Sequence, residues 1–209
     1  MAAGIATAAC RIRALSISGA VAATIIGATV HAAMGATGSS AMVAYFATSS
    51  ALGRLPGTRL PVQRRGNRRD AVQVLANGGP AAAFALLHAL RVAPSALDTR
   101  AGYYGTLSAA AADTWATEIG TRWGGQPRSI ANFRHTLAGE SGGVTLAGLA
   151  ASVLASLMMA AIARLGENNR GGLVRTCVTS GLAGSLTDSL LGALLQERRW
   201  CEHCHIQTE

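Results

Sequence analysis

Three carboxylates stand inside segments of the sequence that otherwise consist of apolar and small residues. Asp113 and Glu118 belong to the stretch AAAADTWATEIG at residues 109–120, and Asp188 belongs to GLAGSLTDSLLGALLQ at residues 181–196. In a membrane helix, an ionisable side chain costs about 2.5–3.5 kcal/mol on insertion scales unless it faces a polar interior. Residues kept at such a cost are candidates for chemistry.

Asp113 and Asp188 occupy different helices, so their charges repel unless a cation lies between them. Mg²⁺ binds one or two protein carboxylates and completes its shell with substrate phosphates and water. We therefore predict Asp113 and Asp188 as Mg²⁺ ligands and catalytic residues, with Glu118 as a third catalytic residue. The alternative is that each carboxylate caps or hydrogen-bonds a neighbouring helix. For Asp113 a capping box is disfavoured, because no Glu or Gln stands three residues later.

A basic segment at residues 54–70, RLPGTRLPVQRRGNRRD, contains six arginines. Arginine binds phosphate oxygens through paired hydrogen bonds, although such a loop can equally contact anionic lipid headgroups. The spacing of Asp70, Gln73 and Asn77 puts them on one face of the helix that follows. From this region we predict five residues that bind a phosphate-bearing substrate or nucleotide: Arg68, Arg69, Asp70, Gln73 and Asn77.

A glycine-rich stretch, GESGG at residues 139–143, precedes an apolar helix. Glycines let a backbone approach a ligand closely, and a helix N-terminus favours an anion. The stretch lacks the GxxxxGK[ST] pattern of a P-loop. Together with one face of the helix that contains Asp188, it provides the remaining predicted binding residues: Ser141, Gly142, Gly143, Ser185 and Gln196.

The composition is typical of a membrane protein. Of the 209 residues, 50% are hydrophobic and 13% are charged, whereas about a quarter of the residues in a soluble domain are charged. All 18 basic residues are arginines, and the formal net charge is +8. In a soluble protein this charge would favour nucleic acid. The sequence has no basic face with interleaved aromatic residues, so we predict no nucleic-acid partner.

Six segments are predicted to span a membrane, since a span needs about 20 residues of helix. They are residues 14–34, 36–53, 71–93, 102–120, 143–163 and 173–195. Small residues recur at every fourth position in two of them, which permits close helix packing in lipid: Gly19, Ala23, Gly27, Gly148, Ser152 and Ser156. The predicted fold is an all-α, polytopic membrane helix bundle. Residues 1–209 form a single integral-membrane domain that ends in a short tail at residues 197–209.

The arginines are distributed unequally between the two predicted sides of the membrane. If the N-terminus lies inside, the inner loops contain 13 arginines and the outer loops contain 5. This follows the positive-inside rule. It predicts that both termini, and the side on which the polar residues gather, face the cytoplasm at the cell membrane.

The stretch CEHCHIQTE near the end of the sequence contains four residues of types that bind zinc: Cys201, His203, Cys204 and His205. Zinc sites usually combine two separated pairs, so we favour a solvated tail with reduced thiols and leave metal binding open. Cys10 and Cys177 complete a set of four cysteines that indicates no disulfide framework.

Four stretches, in this order, resemble the phytyl-phosphate kinase family, which includes transmembrane protein 19. They are RRDAVQVLANGG (68–79), AAAADTWATEIG (109–120), GESGGVT (139–145) and GLAGSLTDSLLGALLQ (181–196). The resemblance covers nearly the whole chain. The loop usually reads closer to PGTSGG in the family, and here Glu140 replaces a small hydroxyl residue.

The resemblance implies a polytopic helical membrane protein. For activity, it implies conversion of phytyl phosphate to phytyl diphosphate with a nucleoside triphosphate, CTP being the expected donor. It also puts these residues on the polar motif positions of the family: Arg69, Asp70, Gln73, Asn77, Asp113, Glu118, Ser141, Gly142, Gly143, Asp188 and Gln196.

We therefore expect a Mg²⁺-dependent prenyl-phosphate kinase embedded in the lipid bilayer, with an isoprenyl monophosphate as its acceptor. One alternative is a transporter or lipid-handling protein in which Asp113 and Asp188 couple protons or cations. A transporter predicts polar residues that continue to the outer face, whereas the outer halves of the segments are mostly Ala, Leu and Val. Another alternative is a structural membrane protein with packing carboxylates. The acceptor chain length and the oligomeric state stay open.

Overall fold

The computed structural model describes residues 1–56, 68–92, 94, 97–166, 170–196, 199–201 and 206–208, with the backbone alone for residues 170, 199–201 and 206–208. Within these ranges the chain is mostly helical, which confirms the predicted class. Its helices are α1 (Ala2–Arg11), α2 (Ile17–Leu52), α3 (Ala71–Leu90), α4 (Thr99–Trp123), α5 (Leu146–Gly166) and α6 (Arg170–Leu195).

Four short strands form two antiparallel pairs. β1 (Arg128–Ser129) pairs with β2 (Gly143–Val144), and β3 (Arg199–Cys201) pairs with β4 (Ile206–Thr208). β1 and β2 both belong to the connection between α4 and α5, and their pairing brings the two ends of that connection together. Several residues singled out in the sequence lie outside the described residues: Arg59, Arg64, Arg65, His203, Cys204 and His205.

The first two predicted spans form one element, α2, which reverses direction at Gly35. Gly35 has φ 66° and ψ −156°, a combination that essentially only glycine adopts. The reversal is evident at Arg69. Its carbonyl accepts a hydrogen bond from the Ser16 N–H at 3.0 Å, and its guanidinium donates to the Ser50 hydroxyl at 3.0 Å. Both ends of α2 therefore lie side by side, and the predicted break between residues 34 and 36 is confirmed.

Replacing Gly35 by alanine is expected to destabilise the protein by about 1–3 kcal/mol, the cost of holding a Cβ-bearing residue in this backbone region. A Cβ at Gly35 would meet no heavy atom within 4 Å, so the loss would come from backbone conformation alone. Thermal unfolding in detergent, followed by tryptophan fluorescence, measures it. Gly4→Ala is the control, because Gly4 lies inside α1 with the same open surroundings. Equal melting temperatures for Gly35→Ala and wild type would contradict the assignment.

The start of α2 departs from the prediction by three residues. The helix begins at Ile17 rather than at residue 14, because the Ser16 hydroxyl caps it by accepting from the Gly19 N–H at 3.1 Å. The preceding short helix α1, which the sequence pattern does not predict, packs on α2 through its buried residues Ala6 and Ala9.

Helices α4, α5 and α6 pack closely because small residues stand where they meet. A Cβ on Gly181 would lie 2.0 Å from the Ser156 Oγ, and one on Gly184 would lie 2.6 Å from the Ala109 Cβ. Ser152 and Ser156 are fully buried, and the Ser156 hydroxyl donates to the Ser152 carbonyl at 2.7 Å. The predicted small-residue spacing in α5 thus coincides with its buried face.

One end of the bundle gathers the end of α2, the start of α3, the end of α4, the start of α5 and the end of α6. Arg122 near the end of α4 donates to the Leu55 carbonyl at 3.2 Å. Ser141, before α5, is hydrogen-bonded to Gln196, after α6, at 2.7 Å. We call this the cavity end. It is the end that the arginine distribution predicts to face the cytoplasm.

Within the described part of the chain, three helices are long and apolar enough to cross a membrane: Ile17–Leu52, Leu146–Gly166 and Gly171–Leu195. Large apolar side chains cover their outer surfaces, as at Ile25 and Leu154, which are 62% and 58% exposed. The segments predicted at residues 71–93 and 102–120 are helical as α3 and α4 but do not meet the same criterion. Six spans and cytoplasmic termini therefore stay predictions.

Candidate functional site

A cavity of ≈ 560 Å³ lies at the cavity end, between α4, α6 and the loop that leads into α5. We call it the acidic cavity. It brings together seven of the residues predicted from sequence: Asp113, Ser141, Gly142, Gly143, Ser185, Asp188 and Gln196. These residues come from three separate stretches of chain, up to 83 positions apart between Asp113 and Gln196.

Asp113 is half-buried on α4 and Asp188 is exposed on α6, and both line the acidic cavity. Neither carboxylate has a hydrogen-bond donor or a cationic partner among the described residues. The described lining also contains no arginine and no histidine. The helix-capping alternative is therefore not seen for either residue. The arrangement leaves two carboxyl groups lining one cavity.

Glu140 is a third acidic residue of the lining, but its carboxylate is turned into its own loop. It accepts hydrogen bonds from the Thr136 hydroxyl and from the Leu137 N–H, the second at 3.1 Å. This gives the residue that departs from the family pattern a role in shaping the loop.

The glycine-rich stretch lies directly against α6. Gly142 has φ 82°, and a Cβ there would lie 2.4 Å from the Ala193 Cβ. Gly142 therefore meets both requirements that favour glycine, a left-handed backbone and close contact with a neighbouring helix. The hydrogen bond of Ser141 with Gln196 holds the same contact.

The stretch leads into the start of α5, where the Thr145 hydroxyl accepts from the Gly148 N–H at 3.0 Å. This is the geometry of a helix N-cap. Close packing of α4 on α5 positions the cap, since a Cβ on Gly120 would lie 3.0 Å from the Thr145 Oγ1. The first turn of a helix carries N–H groups without intrahelical partners, and here that turn borders the acidic cavity.

Ser185 lies at the buried side of the acidic cavity and is 4% exposed. It is hydrogen-bonded to the Ser152 hydroxyl at 3.4 Å, and Ser152 in turn contacts the Gly148 carbonyl at 3.2 Å. The predicted binding residue is thus part of a hydroxyl network that joins α5 and α6.

The structure does not bring Glu118 into the acidic cavity. Its carboxylate forms a salt bridge with Arg122 one turn later on α4. The Arg122 side chain is 2% exposed, and its Nε donates to the Leu55 carbonyl just beyond α2. This pair connects the end of α4 to the end of α2, a structural use of Glu118. A catalytic role for Glu118 stays an untested prediction.

The residues predicted from the basic segment also lie apart from the acidic cavity. Arg68 is exposed. Asp70 and Gln73 form a capping box at the start of α3: Asp70 accepts from the Gln73 N–H at 2.9 Å, and Gln73 accepts from the Asp70 N–H at 3.3 Å. Arg69, Gln73 and Asn77 line a second cavity on the other side of the bundle.

The capping box predicts how Asp70 responds to substitution. Asp70→Ala is expected to lower stability by about 0.5–2 kcal/mol, the cost of losing a helix N-cap, whereas Asp70→Asn should retain stability because asparagine caps equally well. Thermal unfolding of the two variants side by side measures the difference. Equal loss in both variants would mean that the negative charge, rather than the cap, is what the fold requires.

Several lining residues of the acidic cavity are not predicted from sequence: Thr117, Thr121, Glu140 and Thr145. Thr117 and Thr121 follow Asp113 at intervals of four, so they share its helix face. Thr145 stands immediately before an apolar helix, the usual place of an N-cap residue. These signals are present in the sequence, but threonine in a membrane helix has no unusual chemistry that would single it out.

The donors present suit Mg²⁺ rather than a metal that needs a complete set of protein ligands. Within the described ranges, no three His, Cys, Asp or Glu side chains gather as a metal site. Mg²⁺ keeps several water or phosphate ligands and uses one or two carboxylates, and Asp113 and Asp188, which line one cavity, are the residues that could hold it. A structural zinc site would need four protein ligands.

The fold and the site together define an integral membrane protein with an acidic cavity at one end of its helices. The chain belongs to the family of integral membrane proteins designated DUF92, whose family model matches residues 1–209. This confirms the family predicted from the four stretches of sequence.

Curated relatives match most of the chain at low identity. Protein PGR of Arabidopsis thaliana is 29% identical over 215 residues, covering 90% of this chain and 74% of that protein. Protein VTE6, chloroplastic, of Arabidopsis thaliana is 26% identical over 190 residues, covering 88% of this chain and 57% of that protein. An uncharacterized membrane protein of Synechocystis is 28% identical over 179 residues, covering 83% of this chain and 69% of that protein. No solved structure matches this chain.

Proposed function

We propose that this protein is a membrane-embedded prenyl-phosphate kinase. It would transfer the terminal phosphoryl group of a nucleoside triphosphate to an isoprenyl monophosphate, with CTP as the expected donor and phytyl or geranylgeranyl monophosphate as the expected acceptor. The observation that carries the proposal is the acidic cavity, in which Asp113 and Asp188 face a glycine-rich loop and the start of α5. The arginine distribution predicts that this cavity faces the cytoplasm, where nucleotides are available.

The charge of the acidic cavity supports a divalent cation as part of the site. Its described lining contains Asp113, Asp188 and Glu140 but no arginine or histidine, so a polyphosphate alone would be repelled. Bound Mg²⁺ would neutralise phosphate charge during phosphoryl transfer. Asp113 and Asp188 are the residues that would hold it.

The reaction needs little from the protein besides positioning and charge stabilisation. An oxygen of the acceptor phosphate forms a bond to the γ-phosphorus while the bond between that phosphorus and the β,γ-bridging oxygen breaks. The products are an isoprenyl diphosphate and a nucleoside diphosphate. A phosphate monoester has its second pKa at about 6, so its attacking oxygen is already deprotonated at neutral pH. The reaction therefore needs no side-chain base, which suits a cavity without histidine among its described residues.

The glycine-rich loop and the start of α5 would orient the phosphates, because helix N-termini favour anions. Ser185 and Gln196 add side-chain hydrogen-bond donors around the same space. The contact of Gly142 with α6 would hold the glycine-rich loop in a fixed position relative to the two carboxylates.

A direct assay on the purified full chain in nanodiscs tests the proposal. Geranylgeranyl or phytyl monophosphate and Mg²⁺ would be supplied with each γ-labelled nucleoside triphosphate in turn, and labelled isoprenyl diphosphate would be quantified. We expect product with at least one donor and its loss when EDTA is added. Folded protein that makes no diphosphate with any donor would refute the proposal and favour the alternative of a transporter coupled to protons or cations.

A further inference from the structure

A second cavity of ≈ 120 Å³ lies between α1, α2 and α3 and is almost entirely apolar. We call it the apolar groove. Its walls come from the inner faces of both arms of α2, for example Ala23, Ile26 and Met42, and from α1, for example Ile5. The polar residues Arg69, Gln73 and Asn77 line it as well, where α3 begins at the cavity end.

Arg69 is a half-buried cation that no described carboxylate pairs with. Its guanidinium donates to the Ser50 hydroxyl at 3.0 Å and lies 5.4 Å from the centre of the Phe46 ring. Neither Ser50 nor Phe46 carries a negative charge, so these contacts hold the guanidinium in place without giving it a counter-ion. A partly buried charge is usually paired, and an anionic ligand would pair this one.

Asn77 adds a second unmatched group. Its side chain is exposed on α3, and it makes no side-chain hydrogen bond with another described residue. An amide that faces lipid inside an apolar helix loses its hydrogen bonds to water. Facing the groove one turn beyond Gln73, it can bond a polar headgroup instead.

These features select an amphiphile. An apolar cavity of about 150 Å³ holds a benzene-sized molecule, so the groove encloses about one five-carbon isoprenyl unit, and the rest of a long chain would continue along the outside of α1 and α2 in lipid. The lip of the groove is apolar there, with Ile5 and Val43 41% and 40% exposed. A nucleotide has no comparable apolar part and does not fit these walls.

The polar part of the apolar groove lies at the cavity end of the bundle. The Arg69 guanidinium contacts Ser50 near the end of α2, and the end of α2 meets the end of α4 where Arg122 donates to the Leu55 carbonyl. A headgroup bound at Arg69 would therefore sit at the same end of the bundle as the two carboxylates.

We infer that the apolar groove is the binding site for the isoprenyl monophosphate, with Arg69, Gln73 and Asn77 binding its phosphate and the walls of α1 and α2 enclosing the first part of its chain. This rests on the proposed function for the identity of the lipid. It assigns the polar residues of α3 to the acceptor and leaves the acidic cavity to the nucleotide.

Binding without nucleotide tests the inference separately from catalysis. The probe is geranylgeranyl monophosphate with a diazirine on its first isoprenyl unit, added to the full chain in nanodiscs, with labelled peptides located by mass spectrometry. We expect labelling in α1 and α2 and competition by unmodified geranylgeranyl monophosphate. Labelling confined to other helices, or no competition, would overturn the inference even if the kinase assay succeeds.

Substitutions distinguish the binding of the phosphate headgroup from the binding of the isoprenyl chain. Arg69→Gln should weaken binding of the monophosphate by about 10–100-fold, the scale of one charged hydrogen bond, and leave geranylgeraniol binding unchanged. Arg54→Gln is its control, since Arg54 lies at the same end but lines neither cavity.

Ala23→Phe should weaken the binding of both geranylgeranyl monophosphate and geranylgeraniol, because it fills the apolar groove. Ala28→Phe, on the exposed side of the same helix, should leave the binding of both unchanged. If both groove variants bind like wild type, the site is elsewhere. Intact binding without any turnover would instead refute the kinase alone.

Discussion

Asp113→Asn is expected to lower diphosphate formation by at least about 10²–10³-fold, the scale for removing one group that stabilises charge in a transition state. The variant should fold as well as wild type. Asparagine has nearly the same shape, and the substitution removes a half-buried charge that faces Asp188 and has no described partner. A loss of function with equal or greater stability is what distinguishes a functional carboxylate from a packing one.

Mg²⁺ binding gives a readout of Asp113 that does not depend on turnover. A ligand that binds the folded state raises its melting temperature. Millimolar Mg²⁺ should therefore raise that of wild type and have less effect on Asp113→Asn and Asp188→Asn. Asp98→Asn is the matched control, since Asp98 caps α4 at the opposite end of the bundle, and asparagine keeps that cap. Full activity of Asp113→Asn would refute the assigned role and support a structural carboxylate.

Gly142→Ala is expected to reduce diphosphate formation by about 10²-fold, since a displacement of about 1 Å at a site can have an effect of this size. The new Cβ would lie 2.4 Å from the Ala193 Cβ and 2.8 Å from its Cα, so loop and α6 must move apart. Movement would break the hydrogen bond of Ser141 with Gln196. Steady-state assays measure the activity, and thermal unfolding measures the accompanying loss of stability, about 1–3 kcal/mol for overpacking.

Gly125→Ala is the control for Gly142→Ala. Gly125 also has a positive φ, 69°, but a Cβ there meets no heavy atom within 4 Å. Both variants introduce backbone strain, and Gly142→Ala alone introduces a collision with α6. If the two variants lose equal activity, the strain rather than the contact with α6 explains the effect.

Much of the fold follows from the sequence because local signals agree with each other. Apolar length predicts the helices, and Gly35 at the boundary between two predicted spans marks a reversal that glycine alone adopts easily. The small residues of α5 predict close packing, since side chains larger than Ser152 and Ser156 would not fit between helices. The exact start of α2 was missed because it depends on one cap, Ser16.

The candidate site follows from the sequence in part. Asp113 and Asp188 stand out because a charge is costly in a membrane helix, and the glycine-rich stretch stands out because glycines let a backbone approach a ligand closely. The structure collects all three in one cavity. Glu118 carries the same signal, yet it is paired with Arg122. A residue five positions after Asp113 points away from it on a helix, so the partner of each carboxylate depends on which helix packs against that face.

The sequence by itself determined the class of protein, the helices α2 to α6 and the residue types that are candidates for binding phosphate and Mg²⁺, because these depend on composition and on local spacing. Only the tertiary structure decided which polar residues line which of the two cavities. Asp113 and Asp188 line the acidic cavity, whereas Arg69, Gln73 and Asn77 line the apolar groove. Helix packing sets this division, since contacts between residues distant in the chain determine which face of each helix meets a cavity and which is filled by a neighbour.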